Sequence, residues 1–265
     1  MDRTIYYSSL ENDDFAGTKI ETAEIGEDFE YIRKGRLWRA ASAALYYGVA
    51  VPVLMAYCRV FRGLKIVNRK ALRSVGESGV FLYGNHTQKA DAFLGHMIAA
   101  PKRTYIIAHA DAVSIKGIRN IVMMLGCLPI PSSKKMMGEF LEAAETRVRE
   151  GGCIVIYPEA HIWPYYTGIR PYKATSFHYP ARWNVPVIAM TTTYRKRKGL
   201  FRLCKKPGMT VTLSEAMYPD MELPPKKRQQ QLRDYVYDFM TRVAGEPGNV
   251  EYIRYRHISE RDEGC

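Results

Sequence analysis

The sequence predicts an α/β fold with a mostly parallel central sheet flanked by helices, entered through an apolar N-terminal helical segment. Three observations carry that class. From residue 80 onward, apolar runs of four to nine residues alternate with helical patterns, the signature of βαβ units. At 265 residues and 47% hydrophobic, the chain is long enough for one large core rather than two equal domains. And Ala40 to Cys58 is a stretch of nineteen residues without a charge.

Residues 1–32 mix Ser, Asn, Asp and Glu with isolated aromatics and show no helical stripe, so a loosely ordered acidic leader is expected there. Residues 33–61 form the apolar segment, flanked by Arg33, Lys34, Arg36 and Arg39 before it and Arg59, Arg62 and Lys65 after it. As a helix its uncharged core is about 28 Å long, enough to cross a hydrocarbon layer. Gly48 and Pro52 near its middle, three tyrosines along it and positive charge at both ends favour a bent segment lying in one leaflet. An ordinary core helix and a simple span are the alternatives. In the main domain, 62–245, the expected strands are Val80–Tyr83, Tyr105–Ala108, Cys127–Ile130, Cys153–Tyr157, Val185–Thr193 and Met209–Leu213. Helices are expected at Ala90–Ala100, Ile115–Leu125, Met136–Glu150 and Pro225–Ala244, the third stopped by Gly151-Gly152. Residues 246–265 read as a polar, exposed tail.

Charge is unevenly spread. Residues 1–30 carry nine acids against two bases, so although the whole chain is +12, the remainder is +19. A body that basic fits a polyanionic partner: a phospholipid membrane surface, an acidic carrier, or nucleic acid. The run Arg195 to Lys206 holds seven bases interleaved with Leu and Phe, which suits an anionic membrane face or an acidic carrier. Nucleic acid is excluded because stacking positions and a recognised binding motif are lacking. The five cysteines are scattered and form no CxxC pair, which reads as reduced thiols in a cytosolic setting. No apolar core lies near Met1, so no secretory signal is expected and the body should sit on the cytoplasmic side of the cell membrane.

The most informative stretch is Asn85-His86-Thr87-Gln88-Lys89-Ala90-Asp91, directly after the apolar run Val80–Tyr83. With His86 at a strand end and Asp91 in the first helical turn, the carboxylate can accept an imidazole N–H, fix its tautomer and leave the other nitrogen to take a proton. A surface histidine beside a helix-capping aspartate would give the same spacing. Cys153-Ile154-Val155-Ile156-Tyr157-Pro158-Glu159 supplies a second strand ending in a carboxylate, and two such ends can line one cleft in an open sheet.

With Asn85 to Asp91 and Tyr157-Pro158-Glu159-Ala160 about seventy residues apart in this order, the chain resembles the lysophospholipid (1-acylglycerol-3-phosphate) acyltransferase family. Its first motif is Asn-His, any four residues, Asp; its third is an aromatic residue followed by Pro-Glu-Gly. Arg170-Pro171-Tyr172-Lys173 resembles the family's Pro-Phe-Lys stretch, and Val185-Pro186-Val187-Ile188 its Val-Pro-Ile-Val motif. The resemblance covers about residues 60 to 215. Two arginines that the family uses toward the acceptor's phosphate are missing: the corresponding places read Pro129-Ile130-Pro131-Ser132 and Ala160-His161-Ile162. Lys134 or Lys135 can replace the first, and Arg170 with Lys173 the second.

The resemblance implies acyl transfer from acyl carrier protein or coenzyme A to the hydroxyl of a lysophospholipid acceptor. No other cofactor and no metal are implied. His86 would serve as general base, Asp91 would orient it, and Asn85, Glu159, Arg170, Lys173, Lys134 and Lys135 would bind substrate. The attacking group is the acceptor's own hydroxyl, so no enzyme nucleophile is required. Two rival readings are a metal-dependent hydrolase with His86, Asp91, Glu159 and His161 as ligands, and an inactive membrane- or carrier-binding module.

Overall fold

The computed structural model describes residues 3–17, 22, 24–115 and 117–259. In chain order its elements are β1 (Thr4–Tyr7), α1 (Arg36–Val60), β2 (Lys65–Val67), α2 (Ala71–Ser74), β3 (Val80–Gly84), a 3-10 turn (Lys89–Phe93) running into α3 (Leu94–Ala99), and β4 (Thr104–Ala108). Then follow α4 (Arg119–Met124), β5 (Cys127–Pro129), α5 (Lys134–Arg149), β6 (Cys153–Ile156), α6 (His178–Trp183), β7 (Val187–Arg195), β8 (Gly208–Leu213), α7 (Pro225–Ala244) and β9 (Arg254–His257).

Seven strands form the central sheet in the order β2-β8-β7-β3-β6-β4-β5, and every neighbouring pair is parallel except β7 with β8. β3 is central, and all five of its residues are buried. Its alternate side chains feed two cores: Phe81 and Tyr83 pack with Phe140 of α5, Tyr179 of α6 and Val236 of α7, whereas Val80 and Leu82 pack with Leu94 and Met97 of α3 and Cys58 of α1. Burial on both faces explains why β3 reads as an unbroken apolar run.

The register sets the site. Tyr83 pairs with Ile156, so β3 and β6 leave the sheet side by side at their carboxyl ends. Gly84 permits the crossing: a Cβ there would sit 2.8 Å from the Tyr157 ring. Gly95 does the same for α3, where a Cβ would lie 2.4 Å from Val155. The helix after His86 is thereby pressed onto β6.

Among its described residues, the acidic leader is packed rather than loose. β1 pairs in parallel with β9, joining the beginning of the chain to the segment expected to be an exposed tail. Ile25, Phe29 and Tyr31 are buried in the main core, and the Tyr31 hydroxyl donates to the Pro129 carbonyl at 2.8 Å. Burial holds the Tyr31 phenol well above its ordinary pKa, so it stays a donor. Cys58, Cys127, Cys153 and Cys204 are free thiols, and Cys265 lies outside the described residues.

α1 is not a core helix. Only 17% of its most apolar 18-residue window is buried, and Leu37 (89%), Val53 (61%) and Phe61 just beyond it (66%) are exposed. Pro52 lacks an N–H and crowds the carbonyl four residues back, and the turn before it, Ala44–Ala50, widens into a π-helix.

Candidate active site

His86 leaves the end of β3, and its Nδ1 lies 3.2 Å from Asp91 Oδ2. Asp91 is fully buried and its position is over-determined. The same oxygen accepts the backbone N–H groups of Thr87 (2.6 Å) and Gln88 (2.7 Å), which starts the 3-10 turn. Capping aspartate and histidine partner are therefore one residue. With Nδ1–H donated to the carboxylate, Nε2 is the free nitrogen, and the side chain is 15% exposed.

One face of the imidazole is covered by Tyr157, stacked at 4.5 Å between ring centroids and 20° between planes. The Tyr157 hydroxyl donates to the Asp91 carbonyl at 2.5 Å. Burial first, and then the neighbouring Asp91 charge, push this phenol far above its ordinary range, so it remains protonated. On the far side Tyr194 donates to Thr87 Oγ1 (2.7 Å) and accepts from Gln88 Nε2 (2.9 Å). The loop between His86 and Asp91 is thus held by two tyrosines, Tyr194 buried and Tyr157 partly buried. Tyr157 stands in the sequence only as the aromatic of the third motif, and Tyr194 as no more than a strand residue.

Glu159 faces inward. Oε2 accepts the His86 backbone N–H (3.2 Å) and the Arg170 guanidinium (3.2 Å), while Oε1 accepts the Arg170 backbone N–H (3.1 Å). Arg170, completely buried, also donates to the carbonyls of His161 and Leu10 and lies over the Trp163 ring at 5.1 Å. Burial raises the Glu159 carboxyl and lowers the Arg170 guanidinium, each against the attraction of the other. Both were expected to touch substrate; in the structure they brace the loop that carries His86, and Glu159 also lines the cleft beside Tyr157. The segment after Glu159 is sewn to that loop by Trp163 N–H to His86 O (3.1 Å) and Tyr165 N–H to Thr87 O (3.0 Å).

Asn85, also expected to touch substrate, is engaged within the fold. Its amide bridges to β7, accepting from Thr192 N (2.7 Å) and donating to Thr192 O (3.0 Å), and the residue is buried. Asn85→Ala would leave a buried N–H and C=O unpaired and is expected to cost about 2–3 kcal/mol in urea unfolding. Unchanged stability with lost turnover would instead return Asn85 to substrate binding. Lys134 and Lys135 begin α5, Lys135 pairs with Glu27 at 2.7 Å, and neither lines the clefts beside His86. Lys173 lines a cleft of about 400 Å³ together with Tyr157 and Glu159. The four ligands of the hydrolase reading are not gathered: among the described residues no group of three or more His, Cys, Asp or Glu is placed to hold a metal ion.

A protein-family model described as Acyltransferase matches residues 62–211, a span that contains both strand ends and the whole His86–Asp91 loop. The chain belongs to the acyltransferase family. No curated protein matches the chain. Among solved structures it is similar to the crystal structure of the 1-acyl-sn-glycerophosphate (LPA) acyltransferase PlsC from Thermotoga maritima, with a TM-score of 0.55 and 13% identity over 79% of this chain and 95% of that one. That likeness is one of fold. Within the acyltransferase family, this member departs at Ala160, which stands in place of the motif glycine and adopts φ 63°. A Cβ in that left-handed region is strained, and Ala160→Gly is expected to stabilise by up to about 1 kcal/mol. The measurement is urea unfolding, and a loss of stability would refute the strain.

Proposed function

We propose that this acyltransferase is a membrane-associated O-acyltransferase of phospholipid biosynthesis. It moves a fatty acyl group from acyl-CoA or acyl-acyl carrier protein to the free hydroxyl of a lysophospholipid, with 1-acylglycerol-3-phosphate as acceptor. The observation that carries the reading is the His86–Asp91 pair, partly exposed at the carboxyl ends of two central strands in a chain of this family. The LPA acyltransferase named for the similar fold supports the choice of acceptor.

In the reaction His86 Nε2 takes the acceptor's hydroxyl proton as its oxygen attacks the thioester carbonyl. The tetrahedral intermediate collapses with cleavage of the C–S bond, and His86 returns the proton to the departing thiolate. An ester and a free thiol result. Asp91 holds the tautomer and stabilises the transient imidazolium, and the bracing by Glu159, Tyr157 and Tyr194 keeps the loop from reorganising during the step. A labelled long-chain acyl thioester, incubated with the protein and a panel of lysophospholipids, is expected to label 1-acylglycerol-3-phosphate. No turnover on any acceptor would overturn the reading in favour of an inactive binding module.

Membrane association is supported by α1. Val49, Val53, Tyr57 and Phe61 recur every four residues and form one exposed apolar stripe, with Arg36, Arg39, Arg59 and Arg62 at its ends. Both ends of the helix are fastened to the same body: Ser42 donates to Met124 O and Tyr46 Oη accepts from Thr104 N (3.0 Å) at the start of β4, while Arg197 donates to Phe61 O. A helix spanning the bilayer would drag this polar body into hydrocarbon, so α1 lies in one leaflet with the domain on the cytoplasmic side. Deleting the helix would strip Tyr46 and Cys58 from the fold, so substitution is the cleaner test. Val49→Asp with Val53→Asp is expected to lower cosedimentation with anionic phospholipid vesicles more than tenfold, and unchanged sedimentation counts against the anchor.

A further inference from the structure

We infer that Arg62 and Lys89 form the subsite for the acceptor's phosphate monoester, Arg62 coming from outside the family motifs and Lys89 from an unspecified position within the first of them. The inference rests on the reading of the reaction given above. A cleft of about 300 Å³ is lined by Thr87, Gln88, Lys89 and Ala90 from the loop after His86, by Tyr57 and Arg62 from the end of α1 and the turn beyond it, and by Ile162, Pro164 and Tyr165 opposite. Its floor is therefore the loop that carries the candidate base.

Two cations reach this cleft, and among the described residues neither Arg62 nor Lys89 takes part in an ion pair with a carboxylate. Arg62 is half-buried; its guanidinium approaches the Tyr165 hydroxyl at 3.5 Å and lies 5.9 Å from the centre of that ring, which steadies it while leaving its other N–H groups free of carboxylates. Lys89 is exposed on the first residue of the turn. The other cations proposed for the phosphate are spent or distant: Arg170 on Glu159, Lys135 on Glu27. Lys173 lines the other cleft, as does Glu11.

The chemistry of the acceptor demands a site of this kind. In 1-acylglycerol-3-phosphate only two carbons and one ester oxygen separate the attacking oxygen from phosphorus, so a dianion must rest within a few bonds of His86. A planar fork and a mobile ammonium, meeting over a floor of turn residues, match a phosphate monoester. The cleft also opens at the end of α1, where a lysolipid held in the leaflet would present its head group.

The test is direct binding, in neutral detergent, of a short-chain 1-acylglycerol-3-phosphate to the full chain by calorimetry. For Arg62→Gln with Lys89→Gln, Kd is expected to rise about tenfold or more, whereas uncharged 1-acylglycerol binds as to the unaltered chain and Arg73→Gln, at the opposite end of the sheet, changes nothing. Inorganic phosphate should compete for the unaltered chain only. Equal binding by the double variant overturns the proposal, as does a defect confined to vesicle sedimentation, which would make the two residues membrane contacts. Steady-state assays separate the two readings. Transfer by a double variant whose acceptor KM is unchanged refutes this subsite and leaves the reaction standing; phosphate-dependent binding without turnover on any acceptor does the reverse.

Discussion

Replacing His86 with alanine is expected to lower kcat for acyl transfer by roughly 10³-fold or more, with thermal unfolding shifted by only a few degrees. The asymmetry follows from what the side chain touches. His86 contributes one 3.2 Å hydrogen bond and a stack on Tyr157, and it is partly solvent-exposed, so little packing is lost. Asp91→Ala is the instructive contrast. It removes the imidazole's partner and also the acceptor of two backbone N–H groups, so activity and stability should fall together. Paired kinetics and unfolding on both variants separate the roles, and full activity in His86→Ala would end its assignment as the base.

The second large effect concerns stability. Arg170→Ala leaves the Glu159 carboxylate buried beside an empty space and is expected to cost about 3–5 kcal/mol, a fall in Tm on the order of 10 °C. The double change Glu159→Leu with Arg170→Leu should recover part of that loss, because two neutral side chains need no counter-charge, although they leave the His86 and Arg170 backbone N–H groups without their acceptor. Unfolding of the single and double variants checks this by a thermodynamic cycle. If Arg170→Ala unfolds like the unaltered chain but needs far more acceptor, the pair is a substrate contact after all.

How much of this was legible beforehand depends on the range of each interaction. The six long apolar runs and α7 stand in the structure close to where periodicity puts them, because local pattern and burial agree. β1 and β9 escaped notice since each mixes Tyr with charged or polar residues and is paired only with the other, some 250 residues away in sequence. The leader misled for a related reason: its acids dominate the composition, but Ile25, Phe29 and Tyr31 decide its packing. In the site, His86 and Asp91 were visible because five residues and a strand end define them. The true work of Asn85, bound to Thr192, is set by register across the sheet and has no local signature. Arg62 could have been suspected from its place just past the apolar helix, but only the fold brings it across from Tyr165.

The parallel pairing of β1 with β9 also clamps the Trp163 indole between two segments some 250 residues apart, because Tyr7 and Tyr255 both pack on that ring at 5.0 Å between centroids. Asp13 accepts the indole N–H and Leu10 accepts from Arg170, so the same clamp reaches the brace behind His86. A proteolytic nick in either segment would therefore loosen the reaction centre while leaving the central sheet intact.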